Sequence, residues 1–551
     1  DANTWQGRFA DSGQLLEGRI RAGAHSVNQA SLLSGAFVAS NEQHRLKLSG
    51  LSEQADDAEF ANGAILPTEY QRQRLDVGYG LRMGRHQLQL DYGRNETGDS
   101  GTPALPMDIE YIDSDLFGFG YDYAGEGWTM NSQVWLSRID HGMTNYHLRR
   151  PPANGARFRR NTTDVDNAGF SVALTVDGWR FGIDAHDEAH NSHIDNPNNP
   201  MFFATNFNDA ERRLLGVFAE KTVRFAGDWQ LELGGRYNRI DSDAGNVDAT
   251  PARMGMGPAA ALRDAFNDAD RSVTDNNVDL VAKLRYAPGA GISYYLGAAR
   301  KTRAPSYQER YLWLPLQATA GLADGRTYTG SLDLDSEVAA EVELGLDYDK
   351  GRLHIAPRVF YRDVQDYIQG GVATNTAAVM FVRMMNMMNG TSNPDPLEFQ
   401  NVDAQLYGFD LDWRWALAEG WSLSGVLNYV RGETARDNLY RVAPLNGLVE
   451  LNYSTQRWGL GAECYFAAKQ DKVAEFNSES KTDGYAVFNL NGYWQVSNVV
   501  RLSAGVDNLA DNAYSDHLAG LNRVAGNPDL AAGERLPGYG RSFFARLDLS
   551  F

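Results

Sequence analysis

His141 and Met143 stand two residues apart in the stretch Ile139-Asp140-His141-Gly142-Met143. In an extended strand that spacing puts both side chains on one face. An imidazole and a thioether form a soft donor pair that suits copper, above all Cu(I), and suits hard cations poorly. Two donors are too few for a tight site, so a copper centre here needs further ligands from a loop or another segment. The same residues also fit an ordinary polar histidine beside a methionine packed under a loop, and the residues alone leave both readings open.

Met380, Met384, Met385, Met387 and Met388 place five of the chain's 12 methionines within nine residues of a long, otherwise polar connection. Thioethers at that density could capture Cu(I) weakly, but methionine also packs adaptably, and packing is the preferred reading because spacing fixes no partner. His186, His190 and His193, with Asp187 and Glu188, have the i, i+4, i+7 spacing that aligns imidazoles on a helix. The Asn196-Pro197-Asn198-Asn199-Pro200 that follows opposes a helix, so a hydrated polar loop is preferred over metal binding. Asp333 and Asp335 read as the wet face of a strand. No G-x-S-x-G elbow, Walker loop, H-E-x-x-H or EF-hand spacing occurs, and neither catalytic residues nor an organic cofactor are expected.

The elements that must position these residues are strands. Over 551 residues the chain carries 55 Gly, 24 Phe, 11 Trp and 26 Tyr, a pairing that favours strands and tight turns. The net charge of −20 argues against nucleic acid as a partner. The single Cys464 excludes an internal disulfide and a multi-cysteine zinc site. Mean hydropathy of −0.45, with no run approaching ~18 apolar residues, excludes a transmembrane helix but not a membrane β-barrel, in which half of each strand faces water.

Strict alternation recurs from end to end. Leu75, Val77, Tyr79 and Leu81 alternate with Arg74, Asp76, Gly78 and Gly80, and after Met83-Gly84-Arg85 the pattern resumes at Leu88, Leu90 and Tyr92. Phe117, Phe119, Tyr121 and Tyr123 lead through a short turn into Trp128, Met130, Val134 and Leu136; Phe543, Ala545, Leu547, Leu549 and Phe551 end the chain. The other face carries Arg, Asp, Gln and Gly, and aromatic residues crowd the strand ends as an interfacial girdle would. Strands of about ten residues suit a tilted bilayer crossing. No repeat at the ~40 to 50 residue period of a propeller blade is present. The expectation is an all-β, transmembrane antiparallel barrel of about 22 strands with long extracellular loops. Long connections are expected near 52–69, 94–112, 145–165, 187–209, 242–274, 303–333, 368–400, 430–442, 468–483 and 514–539. Counting from Trp128, even positions meet lipid, so His141 and Met143 should point into the lumen near the extracellular end. Residues 1–12 are expected to be the tail of a preceding plug or linker and 13–551 the barrel, with no plug-sized block among them.

Val506-Asp507-Asn508-Leu509 with Asp511, Tyr514, His517 and Leu518, before a last strand ending in Phe551, resembles the closing pattern of TonB-dependent outer-membrane receptors. Arg303-Ala304-Pro305-Ser306 with Glu309 and Tyr311, then Leu332-Asp333-Leu334 leading to Glu341, Glu343, Leu344 and Gly345, is similar to strands flanking a long outer loop of that family. Ile139 to Met143 with Asn145 and Tyr146, His186 to Asn191, and Asn401 to Ala404 with Tyr407 and Gly408 resemble its copper receptor subfamily. The resemblance implies a bacterial outer-membrane location, surrounding lipid, copper or a small copper complex as transported ligand, and a TonB complex acting through a plug and TonB box that these residues lack. It favours His141 and Met143 as metal ligands, with His186, His190, Met384, Met385, Met387 and Met388 as weaker candidates. The competing readings are a siderophore receptor taking iron as an organic chelate, a passive wide pore, and an adhesion or phage-docking platform formed by the loops.

Overall fold

A computed structural model describes residues 7–317 and 323–551. Of the 23 strands hydrogen-bonded in one sheet, 22 form the wall of a barrel, and the other, Tyr328–Thr329, adds in parallel to Leu397–Ala418. Wall strands pair antiparallel with their neighbours, and Ser542–Ser550 returns to pair with Leu15–His25, from His25↔Phe544 to Arg19↔Ser550. Among the described residues, closure leaves the wall without an edge strand, which a bilayer requires because its core offers no water to unpaired backbone groups.

The alternation in the sequence becomes the two faces of this wall. Leu75, Leu90, Phe117, Val134, Leu136 and Leu460 all point outward and are exposed, a contiguous apolar surface that only hydrocarbon can cover. Trp128, Trp179, Trp421 and Trp458 each begin a strand just after a short turn, forming a girdle at one end. The turns themselves need left-handed backbone: Gly84, between Met83 and Arg85, has φ +59°, and a Cβ there meets nothing, so conformation and not space selects glycine. Inside, charges pair across the strands, as where Arg236 donates to both oxygens of Asp184 at 2.7 Å.

Leu90, Phe119 and Val134 lie in one row across three strands on the lipid face. Leu90→Arg should destabilise the barrel by about 2–4 kcal/mol, the cost of a cation near the bilayer midplane. Urea titration in lipid vesicles, followed by tryptophan fluorescence, measures the loss.

Strand length differs from expectation. The wall strands run from 8 residues in Val500–Asp507 to 23 in Phe203–Phe225. Several continue well past the ~10 residues that a bilayer needs, so the connections expected at 94–112, 145–165 and 187–209 contract to 101–107, 145–159 and 196–202. Above the membrane both faces of a strand meet water, so alternation stops while backbone pairing continues.

On the side of the long connections, four helices among the described residues pack into an apolar cap. They are α1 (Thr250–Arg253), α2 (Gly257–Asp268), α3 (Tyr307–Tyr311) and α4 (Thr376–Asn389). Phe266, Tyr311, Leu314 and Phe381 meet in its interior, so a dry cluster of the described residues is built largely from the long connections. α3 opens on a capping box, Ser306 accepting from the Glu309 N–H while Glu309 accepts from the Ser306 N–H. α4 is capped by Asn375, which accepts from the Ala377 and Ala378 N–H groups, and ends at Gly390 with φ +61°.

Two further loops are clamped by a buried pair. His517 Nε2 lies 3.1 Å from Glu479 Oε1, with the two side chains 1% and 2% exposed. Burial alone would raise the Glu479 carboxyl, but hydrogen bonds from His517 and from the Ala474 and Arg441 N–H groups outweigh it and hold the group below its ordinary value. A depressed folded-state pKa gives stability that is present above the unfolded value and fades as pH falls through the folded one. Hydrogen exchange in 468–484 should therefore quicken below about pH 4, the ordinary glutamate range, while exchange in the wall stays slow.

Candidate functional site

His141 and Met143 lie near the upper end of the strand Trp128–Thr144. Trp128, Val134 and Leu136 on that strand are 38%, 44% and 52% exposed toward lipid, and the ladder to Arg160–Val176 runs unbroken from Trp128 to Thr144. Odd positions, His141 and Met143 among them, therefore face the lumen. His141 sits between Ile112 and Thr163 of the neighbouring strands, and Met143 between Ile109 and Asn161. A bulge between Ile109 and Tyr111 lets the strand Asp108–Ala124 bend over this corner.

The environment of the imidazole is uneven. Beyond Thr163 stands Ser192 and beyond Asn161 stands Ile194. Ser192 donates to Asn161 Oδ1 at 2.8 Å, and Asn161 Nδ2 donates to Thr163 Oγ1 at 3.2 Å. These polar neighbours satisfy one another, whereas His141 Nε2 is buried without a hydrogen-bond partner. An sp² nitrogen held dry and unpaired is costly. It is also ready to bind a Lewis acid or a donor brought by a ligand, with the Met143 thioether on the same face.

The other predicted residues are placed differently. His186 and His190 belong to the strand Trp179–Asp195, not to a hydrated loop. Both face the lumen, since Trp179, Phe181 and Ile183 are the exposed lipid-side positions, and His193, at an odd position, is on the opposite face. His186 Nε2 is within 2.9 Å of Asn167 Oδ1. His190 Nε2 contacts Glu188, and its ring stacks on Tyr307 at 4.1 Å. Val165 pairs with both Ile139 and His190, so His190 is two strands and one further step from His141, roughly 10 Å or more at ~4.8 Å per strand. In this structure the His190 ring is taken up by Glu188 and Tyr307, apart from the His141 corner.

The methionine cluster is not an open loop but helix α4, where Met384 and Met385 pack against the cap interior beside Phe381 and Val382. Met387 and Met388 are exposed at its last turn. Asp333 and Asp335 fall in a turn before the strand Glu337–Lys350, not on a strand face. Among the described residues, no three His, Cys, Asp or Glu side chains are grouped to hold a metal ion. Any soft-metal centre must therefore use thioethers, or ligands from outside this wall. Sequence reasoning passed over His147, which contacts Thr144 through Nδ1 and lies 3.1 Å from the Ile109 carbonyl and 3.3 Å from Asp99 through Nε2. It is already committed on both nitrogens, and its only sequence signal is the Thr three residues before it.

Comparison with known proteins fits this architecture. No curated protein matches the chain by sequence. Residues 54–509 match the family model described as TonB dependent receptor-like, beta-barrel. Among solved structures, the chain is similar to the copper transporter OprC at TM-score 0.82 and 22% identity, covering 99% of this chain and 84% of that one. It is similar to a ferric enterobactin receptor (PfeA) mutant from Pseudomonas aeruginosa at TM-score 0.68 and 16% identity, covering 98% and 81%. It is also similar to the FrpB iron transporter from Neisseria meningitidis at TM-score 0.66 and 12% identity, covering 97% and 81%. The matched residues make up most of the chain, and the closed 22-stranded wall with its lipid-facing band is the fold of those structures. The chain belongs to the TonB-dependent receptors, bacterial outer-membrane transport barrels that work with the TonB system and are not enzymes.

Proposed function

We propose that this barrel takes up copper, as the ion or a small complex, and that His141 and Met143 contribute ligands from the wall. The observation that carries the reading is the His141 Nε2, buried and unpaired on the same lumenal face as the Met143 thioether. A soft thioether beside an imidazole selects copper over iron in an oxygen-rich chelate. The likeness to a copper transporter at TM-score 0.82 supports it. A third and fourth ligand come from a segment seated in the lumen above this corner, as a plug would be.

Residues 1–12 fit the tail of such a plug. Residues 1–6 lie outside the described part, but Phe9 is 4% exposed, with the Arg45 and Arg82 guanidinium groups 4.8 and 4.2 Å from its ring centroid. The Gly7 carbonyl accepts from Arg45. Arg45 and Arg82 are lumenal, alternating with the exposed Leu46 and with Tyr79 and Leu75. The chain thus approaches its first wall strand from inside the barrel. Calorimetry of the purified protein with Cu(I), Cu(II) and a ferric catecholate chelate tests the reading. Saturable copper binding is expected; binding of the ferric chelate with none of copper would replace it with a siderophore receptor.

A further inference from the structure

A second lumenal recess lies on the far side of the barrel, where the last strands close on the first. Register assembles its floor. Glu463 pairs with Asn489, and Asp507 pairs with Ser542. Leu490 pairs with Val506, so Asn489 and Asp507 are the next neighbours along that ladder. Glu463, Asn489, Asp507 and Ser542 thus form one row across four strands. All four face inward, because Leu460, Phe488, Leu502 and Phe543, at positions of opposite parity on the same strands, are exposed to lipid. The half-open recess has a volume of about 470 Å³, enough for a small organic molecule.

The roof is held in place before any ligand arrives. Asn508, 2% exposed, donates to the Asn512 and Tyr539 carbonyls at 2.9 and 3.1 Å. Gly538 N–H donates to the Tyr514 carbonyl at 2.8 Å, and the Tyr514 ring packs tilted by 37° against Tyr485, with centroids 4.6 Å apart. Tyr514 and Tyr539 therefore hang over the row, and Tyr70 and Tyr465 line its sides.

The charges are unequally matched. Glu53, at one edge, accepts from Tyr70 at 2.9 Å and is paired with Arg72. Glu463 takes one hydrogen bond from Asn489 at 2.6 Å, and Asp507 faces the recess near His25. No cation from the wall is paired with either Glu463 or Asp507 among the ion pairs of the described residues. The Ser542 hydroxyl, in a residue 4% exposed, is buried in this lining without a hydrogen-bond partner. A buried hydroxyl left unpaired among carboxylates marks a place for a donor.

We propose that this recess binds a small organic ammonium ion. Two carboxylates attract positive charge, tyrosine faces attract it through their quadrupoles, and together they favour an ammonium group over a bare metal ion. An inorganic cation would want a cluster of hard oxygens, and no three acidic or imidazole groups converge here among the described residues. Glu463 and Asp507 stand two strands apart, roughly 10 Å at ~4.8 Å per strand, so a diamine can reach toward both while its methylenes lie under Tyr514.

The probe is 1,4-diaminobutane, titrated into the detergent-solubilised protein by calorimetry, with tetramethylammonium and calcium as comparators. Saturable diamine binding is expected, weakened about tenfold each by Asp507→Asn and Tyr514→Ala, the scale of one charge or cation–π contact. Copper binding should be unchanged in both variants, which separates this site from the His141 corner. Saturation-transfer NMR on the unaltered protein gives a readout that no folding defect can mimic: magnetisation should pass from tyrosine protons to the diamine methylenes. Absence of that transfer at millimolar diamine, binding that survives Asp507→Asn with Glu463→Gln, or displacement of the diamine by equimolar calcium would each overturn the proposal.

Discussion

Copper(I) affinity is expected to fall by at least about 100-fold in His141→Ala, since loss of even an outer-shell partner costs roughly 10–100-fold at a metal site. The substitution removes a nitrogen to which the wall gives no hydrogen bond, so the free protein loses no hydrogen bond at that atom. Its folding stability should stay level or rise slightly, as an unsatisfied buried polar atom disappears. This combination distinguishes a ligand from a structural histidine, whose removal would weaken the fold. Met143→Leu keeps volume and apolarity but deletes the sulfur; it should weaken Cu(I) more than Cu(II), because the thioether is the softer donor. His190→Ala, by contrast, removes a ring that contacts Glu188 and stacks on Tyr307, and should lower stability while leaving copper affinity within about twofold. Calorimetry with Cu(I) held by a competing chelator reads the affinities, and urea midpoints read the stabilities. Equal copper binding by His141→Ala and the unaltered protein would remove the wall from the site.

The orientation of His141 was legible because one side-chain parity, set by Trp128, Val134 and Leu136 against lipid, survives to the end of an unbulged strand. The unpaired state of its Nε2 was not legible, because it depends on Asn161, Thr163 and Ser192 bonding to one another, and Ser192 is 51 residues away in sequence. Strand number was readable and strand length was not. Alternation reports which face meets hydrocarbon, and Asn191-Ser192-His193-Ile194-Asp195 has no such face, yet its backbone pairs with Arg160–Asn161 and their neighbours. The α4 helix did leave a signal. Ala378, Phe381, Val382 and Met385 recur at i, i+3, i+4 and i+7 between an Asn cap and a Gly stop. The preferred reading of the methionines, packing, agrees with Met384 and Met385 against the cap interior, but they belong to a helix that the period already described and not to a loop. The recess at Glu463 and Asp507 was invisible for the opposite reason: its residues are single lumenal positions on separate strands, and only register brings them into a row.

Arg310→Leu should destabilise the extracellular cap by about 3–5 kcal/mol, the cost of stranding a buried charge by removing its partner. Arg310, its side chain 1% exposed, donates from both terminal nitrogens to Asp275 at 2.8 and 2.9 Å and to the Leu334 carbonyl at 3.1 Å. Asp275 begins a wall strand and Arg310 belongs to α3, so this pair ties the cap to the barrel. Without the guanidinium, Asp275 retains only the Ser336 hydroxyl at 3.2 Å. The carboxylate must then draw in water or take up a proton, and either route loosens α3 and the turn before Glu337. The pair need not be favourable in itself. Arg310 Nε is buried without a partner, so part of its desolvation is uncompensated, and replacing both members by apolar residues of similar volume should recover most of the loss. Arg310→Met with Asp275→Leu is thus expected to be more stable than Arg310→Leu alone. Because the wall closes through its own backbone ladder, the damage should be local: faster proteolysis between 303 and 336, with the heat-resistant mobility of the folded barrel on gels retained. If the single variant loses the barrel as a whole, or the double variant is no better than the single one, the pair is a pillar of the global fold and not a tether of its cap.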